Sequence, residues 1–326
     1  IMSFREEHFF KYYQAQKPNA DIKEIHHIST KGENLTNDIG SNKSVVFDKS
    51  RSVLQPIWSE TLTKGMHGIC FSMYEDGQGP GNTITKEQVD RRIKILKPYT
   101  KWIRSFSCIE GNEHIPRIAK KHGMKNLVGA WLGNDMQKNE QEIEGLIQLA
   151  KEGCVDIAAV GNEVLYRKEL TPQELLAYIL RVKEALKELH IPVGYVDAYY
   201  EFAHRPEITK ACDVILANCY PYWEGCDINQ SLLHMQEMFR IATLAGQGKK
   251  VIITETGWPS QGSSLGGAHS NAENAMKYFV NAQTWVAKDT IEMFYFSSFD
   301  ESWKVGAEGD VGPYWGLWDK HENLKF

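Results

Sequence analysis

The segment Val251-Ile-Ile-Thr-Glu-Thr-Gly-Trp-Pro-Ser260 opens as an apolar, β-branched run and then meets a carboxylate, a glycine, a tryptophan and a proline in quick succession. Uninterrupted β-branched apolar residues predict a strand covered on both faces, as parallel sheets require, and Gly257 and Pro259 end it within a few residues. Glu255 therefore stands where a buried strand breaks into a loop. A second segment, Asp156-Ile-Ala-Ala-Val-Gly-Asn-Glu163, has the same grammar: an apolar run, then Asn162 and Glu163 at its exit.

Both segments belong to a longer series. Short apolar runs recur at 67–73, 102–107, 125–131, 156–161, 192–197, 213–219, 250–255 and 291–298, which gives eight strand candidates. Between several of them apolar residues fall at three- and four-residue spacing, as in Lys86 to Leu96, Asn139 to Lys151, Pro172 to Leu189 and Asn271 to Lys288, and these predict helices. Thr171-Pro172-Gln173-Glu174 is a strong helix start, with a hydroxyl cap, proline in the first turn and a glutamate behind it. Strand then helix, repeated eight times, predicts a (β/α)8 TIM barrel. A doubly wound sheet would need a glycine-rich phosphate turn after an early strand. The nearest stretch, Gly77-Gln-Gly-Pro-Gly81, has no lysine, and Pro80 removes one amide donor.

Residues 1–63 are polar and irregular, with a short helical pattern at Phe4 to Gln14 and an Asn/Gly/Ser/Lys-rich section from Lys31 to Lys43. They read as an N-terminal extension, with residues 64–326 as the barrel. The net charge of −5 and the scatter of Lys and Arg give no basic stripe, so nucleic acid is not expected as a partner. No apolar run is long enough to span a membrane, and Ile1-Met2-Ser3 begins without a basic and apolar leader. The expectation is a secreted or periplasmic monomer whose leader is absent here, with a cytoplasmic location left open. Cys70, Cys108, Cys154, Cys212, Cys219 and Cys226 form no CxxC and sit in or beside apolar runs, so they read as buried thiols. His26-His27 lacks further ligands at metal spacing and reads as a loop. No metal or cofactor is expected.

A barrel presents its chemistry at the carboxyl ends of its strands. Glu163 after strand 4 and Glu255 after strand 7 are two carboxylates on one rim. Cleaving an acetal requires a proton for the leaving oxygen and negative charge for the oxocarbenium-like centre, so such a pair fits acid/base work on a glycosidic bond. Four segments in order sharpen this: GMHGICFSMYEDGQGPG at strand 1, GNE after strand 4, ITETGWPS after strand 7 and FSSFDESWK at strand 8. Over residues 65 to about 320 the chain resembles glycoside hydrolase family 17, the β-1,3-glucanase family. The strand 8 segment resembles bacterial and fungal members more than plant ones, and the chain is taken as a bacterial-type member.

That resemblance implies Glu163 as acid/base, Glu255 as nucleophile, retention of configuration, and Asn162 as a ligand of the sugar 2-hydroxyl. A pyranose packs its C–H faces on aromatic rings. Tyr74, Trp131, Tyr199, Tyr220, Tyr222, Trp223, Trp258 and Trp303 all follow strands and are candidates for that role, with Tyr220 expected to orient Glu255 as well. Glu301 and Lys304 are expected to form a polar cluster at the cleft, and Arg104 on strand 2 to support the site from behind. The resulting expectation is a retaining β-1,3-glucan hydrolase, endo-acting on laminarin-type chains. The alternatives are a glucanosyltransferase, an exo-acting oligoglucosidase or a non-catalytic glucan-binding barrel.

Overall fold

The computed structural model describes residues 46, 49–306 and 308–326. The helical pattern at Phe4 to Gln14, the section from Lys31 to Lys43 and the His26-His27 pair lie outside the described residues. Eight parallel strands close into a barrel in chain order: β1 (Met66–Cys70), β2 (Thr100–Ser105), β3 (Lys125–Ala130), β4 (Ile157–Asn162), β5 (Val193–Ala198), β6 (Ile215–Asn218), β7 (Val251–Thr256) and β8 (Met293–Tyr295). Closure is made by β1 against β8, with Gly68 opposite Phe294. A Cβ at residue 68 would meet the Phe294 ring at 2.5 Å, so glycine lets the seam approach. β7 is buried at all six positions, as the opening segment predicts.

The helices form the outer ring: α1 (Arg51–Lys64), α2 (Lys86–Leu96), α3 (His114–Lys121), α4 (Met136–Lys151), α5 (Pro172–Leu186), α6 (Glu201–His204), α7 (Pro206–Ala211), α8 (Ser231–Gly246) and α9 (Ala272–Asp289). Their starts follow from capping. Thr171 accepts from the Glu174 amide and Glu174 returns the bond to Thr171, completing a capping box at α5. Asp135 caps α4 by accepting from the Lys138 amide, so that helix begins one turn earlier than its apolar periodicity suggests.

Two stretches differ from their sequence reading. β8 ends at Tyr295 because the amides of Ser297 and Ser298 turn to the carbonyls of Trp315 and Cys70 instead of continuing the strand. Helix α1 supplies regular structure at the end of the segment read as irregular, and it packs against α9. Trp58 is fully buried between the rings of Phe279 on α9, at 5.8 Å, and Phe326, at 5.3 Å. No helix among the described residues is long and apolar enough to cross a membrane.

Candidate active site

A cleft of about 990 Å³ lies over the carboxyl ends of the strands, with Glu163 and Glu255 both in its wall. Local backbone turns deliver them there. At the end of β4 the ladder shifts register between Ala159 and Asn162, Gly161 takes φ +85° and Glu163 itself takes φ +52°, so the chain swings out of the strand at the acid. At β7 a second register shift brings Asn218 of β6 directly opposite Glu255. Beyond it Gly257 runs so close to the Phe296 carbonyl that any side chain would collide with it.

Glu255 is held by three donors. Tyr220 Oη donates to Oε1 at 2.7 Å, while Arg104 Nη1 and Asn218 Nδ2 donate to Oε2 at 2.6 and 3.0 Å. Arg104 is 2% exposed, also donates to the Thr254 carbonyl and, through Nη2, to Asn162 Oδ1 at 2.8 Å. Burial pulls the Arg104 pKa down, but the charge of Glu255 and then Cys70 outweigh it and leave it raised. Burial, followed by the Glu255 charge, pushes the Tyr220 phenol well up, so it remains a donor.

Asn218 connects the two carboxylates. Its Nδ2 lies 3.1 Å from Glu163 Oε1 and 3.0 Å from Glu255 Oε2, and its own Oδ1 accepts from Thr254. Glu163 Oε1 and Glu255 Oε2 share one amide nitrogen and so stand no more than about 6 Å apart.

The rest of the expected cluster is present. Trp303 Nε1 donates to Glu301 Oε2 at 2.8 Å, and Lys304 Nζ stands 3.6 Å from the same carboxylate and 4.1 Å from the Phe296 ring centroid. Burial lowers the Lys304 pKa, yet Glu301, Glu308 and Glu255 together raise it above its ordinary value, so the ammonium stays charged.

Of the residues read from sequence, Glu163, Glu255, Asn162, Tyr74 and Trp131 line the cleft, as do Tyr220, Trp223, Glu301, Trp303 and Lys304. Three do not. Tyr199, Tyr222 and Trp258 are 1–2% exposed and sit behind the wall. Their polar ends are directed to protein partners: Tyr199 to Glu224, Tyr222 to the Ser263 carbonyl and Trp258 to the His269 carbonyl. Their rings pack on other aromatic rings, Tyr222 on Trp258 at 5.3 Å and Tyr199 on Tyr200 at 5.2 Å. They pack behind the cleft wall.

The sequence reading passed over Asn218, Trp315, Arg167 and Glu142. Asn218 carries the same signal as Asn162, a polar residue at the end of an apolar strand run. Trp315 follows the last strand at a distance and closes a ring cluster with Tyr220 and Trp223, each at 5.5 Å. Arg167 and Glu142 lie on a loop and a helix, where charge alone gives no signal. Among the described residues no group of three or more His, Cys, Asp or Glu is arranged to hold a metal ion.

A closed (β/α)8 barrel carrying two glutamates on one amide, in a cleft walled by indole and phenol rings, defines a glycoside hydrolase-type barrel. Residues 68–316 match the BtgE/BtgC glycoside hydrolase domain, and the chain belongs to that family. It is 30% identical over 305 residues to a glucan 1,3-beta-glucosidase of Schizosaccharomyces pombe, covering 87% of this chain and 92% of that protein. A second fungal relative, glucan 1,3-beta-glucosidase BGL2 of Candida albicans, is 27% identical over 258 residues, 72% of this chain and 83% of its own length. Among solved structures, a family 17 β-1,3-glucanosyltransferase of Rhizomucor miehei superposes with a TM-score of 0.72 at 29% identity, covering 81% of this chain and 96% of that one. An active-site mutant of the same enzyme is described in complex with laminaritriose. These relatives are fungal and lend no support to the bacterial-type reading of strand 8.

Proposed function

We propose that this chain is a retaining β-1,3-glucan hydrolase, endo-acting on laminarin-type chains, with Glu255 as nucleophile and Glu163 as acid/base. The observation that carries the reading is the meeting of the two carboxylates on the Asn218 amide within a ring-lined cleft. An oxygen of each carboxylate within about 6 Å of the other is compatible with the close pairing that double displacement uses. Glu255 attacks the anomeric carbon as the glycosidic C–O bond breaks, and Glu163 delivers its proton to the leaving oxygen. Water then attacks the glycosyl ester, Glu163 takes up the water's proton, and Glu255 leaves as a carboxylate.

The donors on Glu255 fit this sequence. Arg104, Asn218 and Tyr220 fix both of its oxygens, which orders the attacking carboxylate before substrate arrives. Asn162, itself fixed by Arg104, stands in the same wall and is the residue proposed to meet the 2-hydroxyl. The β-1,3-glucan names of the fungal relatives supply the substrate class. A secreted or periplasmic location remains part of the proposal; six buried thiols are compatible with an oxidising compartment.

A second reading, transfer of the glycosyl unit to another glucan, is favoured by the likeness to the Rhizomucor miehei transferase. Time-resolved product analysis on laminarin and on reduced laminari-oligosaccharides separates the two. A spread of shorter oligomers supports an endo-hydrolase, a single short product an exo-enzyme, and products longer than the starting oligomer a transferase. Glu163→Gln and Glu255→Ala should each abolish turnover; unchanged turnover in either would remove that residue from its role.

A further inference from the structure

The rim of the cleft on the β2–β3 side is held by a carboxylate that the bond-breaking chemistry does not use. Glu142 projects from α4 and is 2% exposed. Its Oε1 accepts from the Ser107 hydroxyl, and its Oε2 accepts from the amides of Cys108 and Trp131, each at 2.9 Å. Ser107 and Cys108 follow β2, and Trp131 follows β3, so one side chain ties two rim loops together. A second link runs in parallel, from Cys108 Sγ to the Gly129 carbonyl at 3.2 Å.

What this clamp holds is the ring at the edge of the cleft. Trp131 lines the cleft and keeps 41% of its surface exposed, which is rare for so large an apolar group among the described residues. Its ring is braced by the Arg167 guanidinium, 4.5 Å from the centroid. Arg167 is in turn fixed to the carbonyls of Asn162 and Leu132 and to Glu169. The indole is therefore oriented through its backbone by Glu142 and through its ring by a group bonded beside the acid/base strand. Such a platform suits stacking of a sugar unit bound away from the scissile bond.

We propose that Glu142 is a positioning residue for a remote sugar subsite at Trp131, setting how strongly the enzyme prefers long glucan chains over short ones. The proposal rests on the reading of the cleft as a glucan-binding groove. The ionised form accepts from the hydroxyl and from both amides through charge-assisted bonds; protonation at Oε1 reverses the Ser107 bond and leaves the two amides on a neutral carbonyl oxygen, which holds them more weakly. Burial raises its pKa to about 7 against those donors, with Glu110 adding to the rise. The other groups facing it are the Cys108 thiol, the Tyr74 phenol across the cleft and Glu110 with Lys138 at 3.8 Å; Arg167 lies beyond the indole. The clamp accordingly tightens as pH rises through neutrality.

The test uses the whole chain and reduced laminari-oligosaccharides of increasing length, with KM and kcat measured between pH 5 and 8. In the wild type, KM for long oligosaccharides should fall as pH rises through about 7, while KM for the shortest cleaved one changes less. Glu142→Gln should raise KM for long chains roughly tenfold at pH 8, the scale of a lost hydrogen bond to a buried charge, and should remove the pH response. Ser107→Ala, which deletes one of the three donors, should give a smaller change in the same direction, and keeps the test open if Glu142→Gln does not fold. An equal KM change at every length, or a wild-type pH response persisting in Glu142→Gln, would overturn the proposal. Failure of the wild type to act on any β-1,3-glucan would instead overturn the reading of the groove, before Glu142 is at issue.

Discussion

Arg104 donates to Oε2 of Glu255 at 2.6 Å, from a guanidinium almost wholly removed from solvent. The pair is buried, so deleting one partner leaves the other's charge unopposed, at a cost of about 3–5 kcal/mol. Arg104→Ala is thus expected to lower the melting temperature as well as to abolish turnover. Arg104→Lys keeps the charge but has no planar fork to reach Glu255 and Asn162 together. For it, kcat should fall by about ten- to a hundredfold, the worth of a hydrogen bond to a charged group. Wild-type kinetics in Arg104→Lys would show that charge alone suffices.

Tyr220 reaches the other oxygen of the same carboxylate. Tyr220→Phe retains the edge-on ring contacts to Phe296 and Trp315 and removes only the hydroxyl. Its effect should therefore fall on kcat, by roughly tenfold or more, with a smaller change in KM. Steady-state kinetics on laminarin decide the matter: a kcat within about twofold of wild type would mean that Arg104 and Asn218 orient Glu255 without help.

The barrel was legible because its signal is periodic and redundant. Eight buried strands spaced by amphipathic helices leave few alternatives, and the caps at Thr171 and Asn271 mark helix starts in the residues themselves. Glu163 and Glu255 were legible for a related reason, since each interrupts an apolar run at a strand exit. The aromatic wall was less so. A strand-end ring has two destinations, the cleft or the packing behind it, and Trp258 and Trp131 carry the same pattern while lying on opposite sides of that choice. Glu142 and Arg167 were invisible because what distinguishes them is which backbone groups the fold brings to them.

The division of the rings has a measurable consequence. Trp258 and Tyr222 are packed behind the wall, so Trp258→Ala should cost stability on the scale of about 3–5 kcal/mol for a buried aromatic. Trp131→Ala, at an exposed ring, should leave the melting temperature nearly in place and raise KM. Thermal unfolding and KM on laminarin, measured for both variants, should therefore move in opposite pairs. A larger KM change in a folded Trp258 variant than in the Trp131 variant would return Trp258 to the ligand-facing wall.

The thiols offer a separate check. All six cysteines are buried and unpaired, and burial pushes their pKa values up, that of Cys70 to about 12 and that of Cys212 to about 11. Thiolate is the reactive form, so the native protein should react slowly with an aromatic disulfide reagent at pH 8 and yield six equivalents once unfolded. Rapid modification of one thiol in the native state would mark a local opening around it.

Glu142 also links folding to pH. Its folded pKa, raised by burial to about 7, lies above the ordinary carboxylate value of 4.5. Between those two values the unfolded chain has released its proton while the folded chain still holds it. The folded state therefore binds more protons, and its stability contribution is present in full below pH 4.5 and is lost as pH rises through about 7. The loss is on the order of a few kcal/mol, because each tenfold difference in proton affinity between the folded and unfolded chain is worth about 1.4 kcal/mol. Glu142→Gln has no proton to lose, so urea unfolding from pH 4.5 to 8 should show a shallower decline for the variant than for wild type. Parallel curves would mean that the carboxyl is solvated well enough to titrate normally and that the tie between Ser107, Cys108 and Trp131 is already ionised well below neutrality.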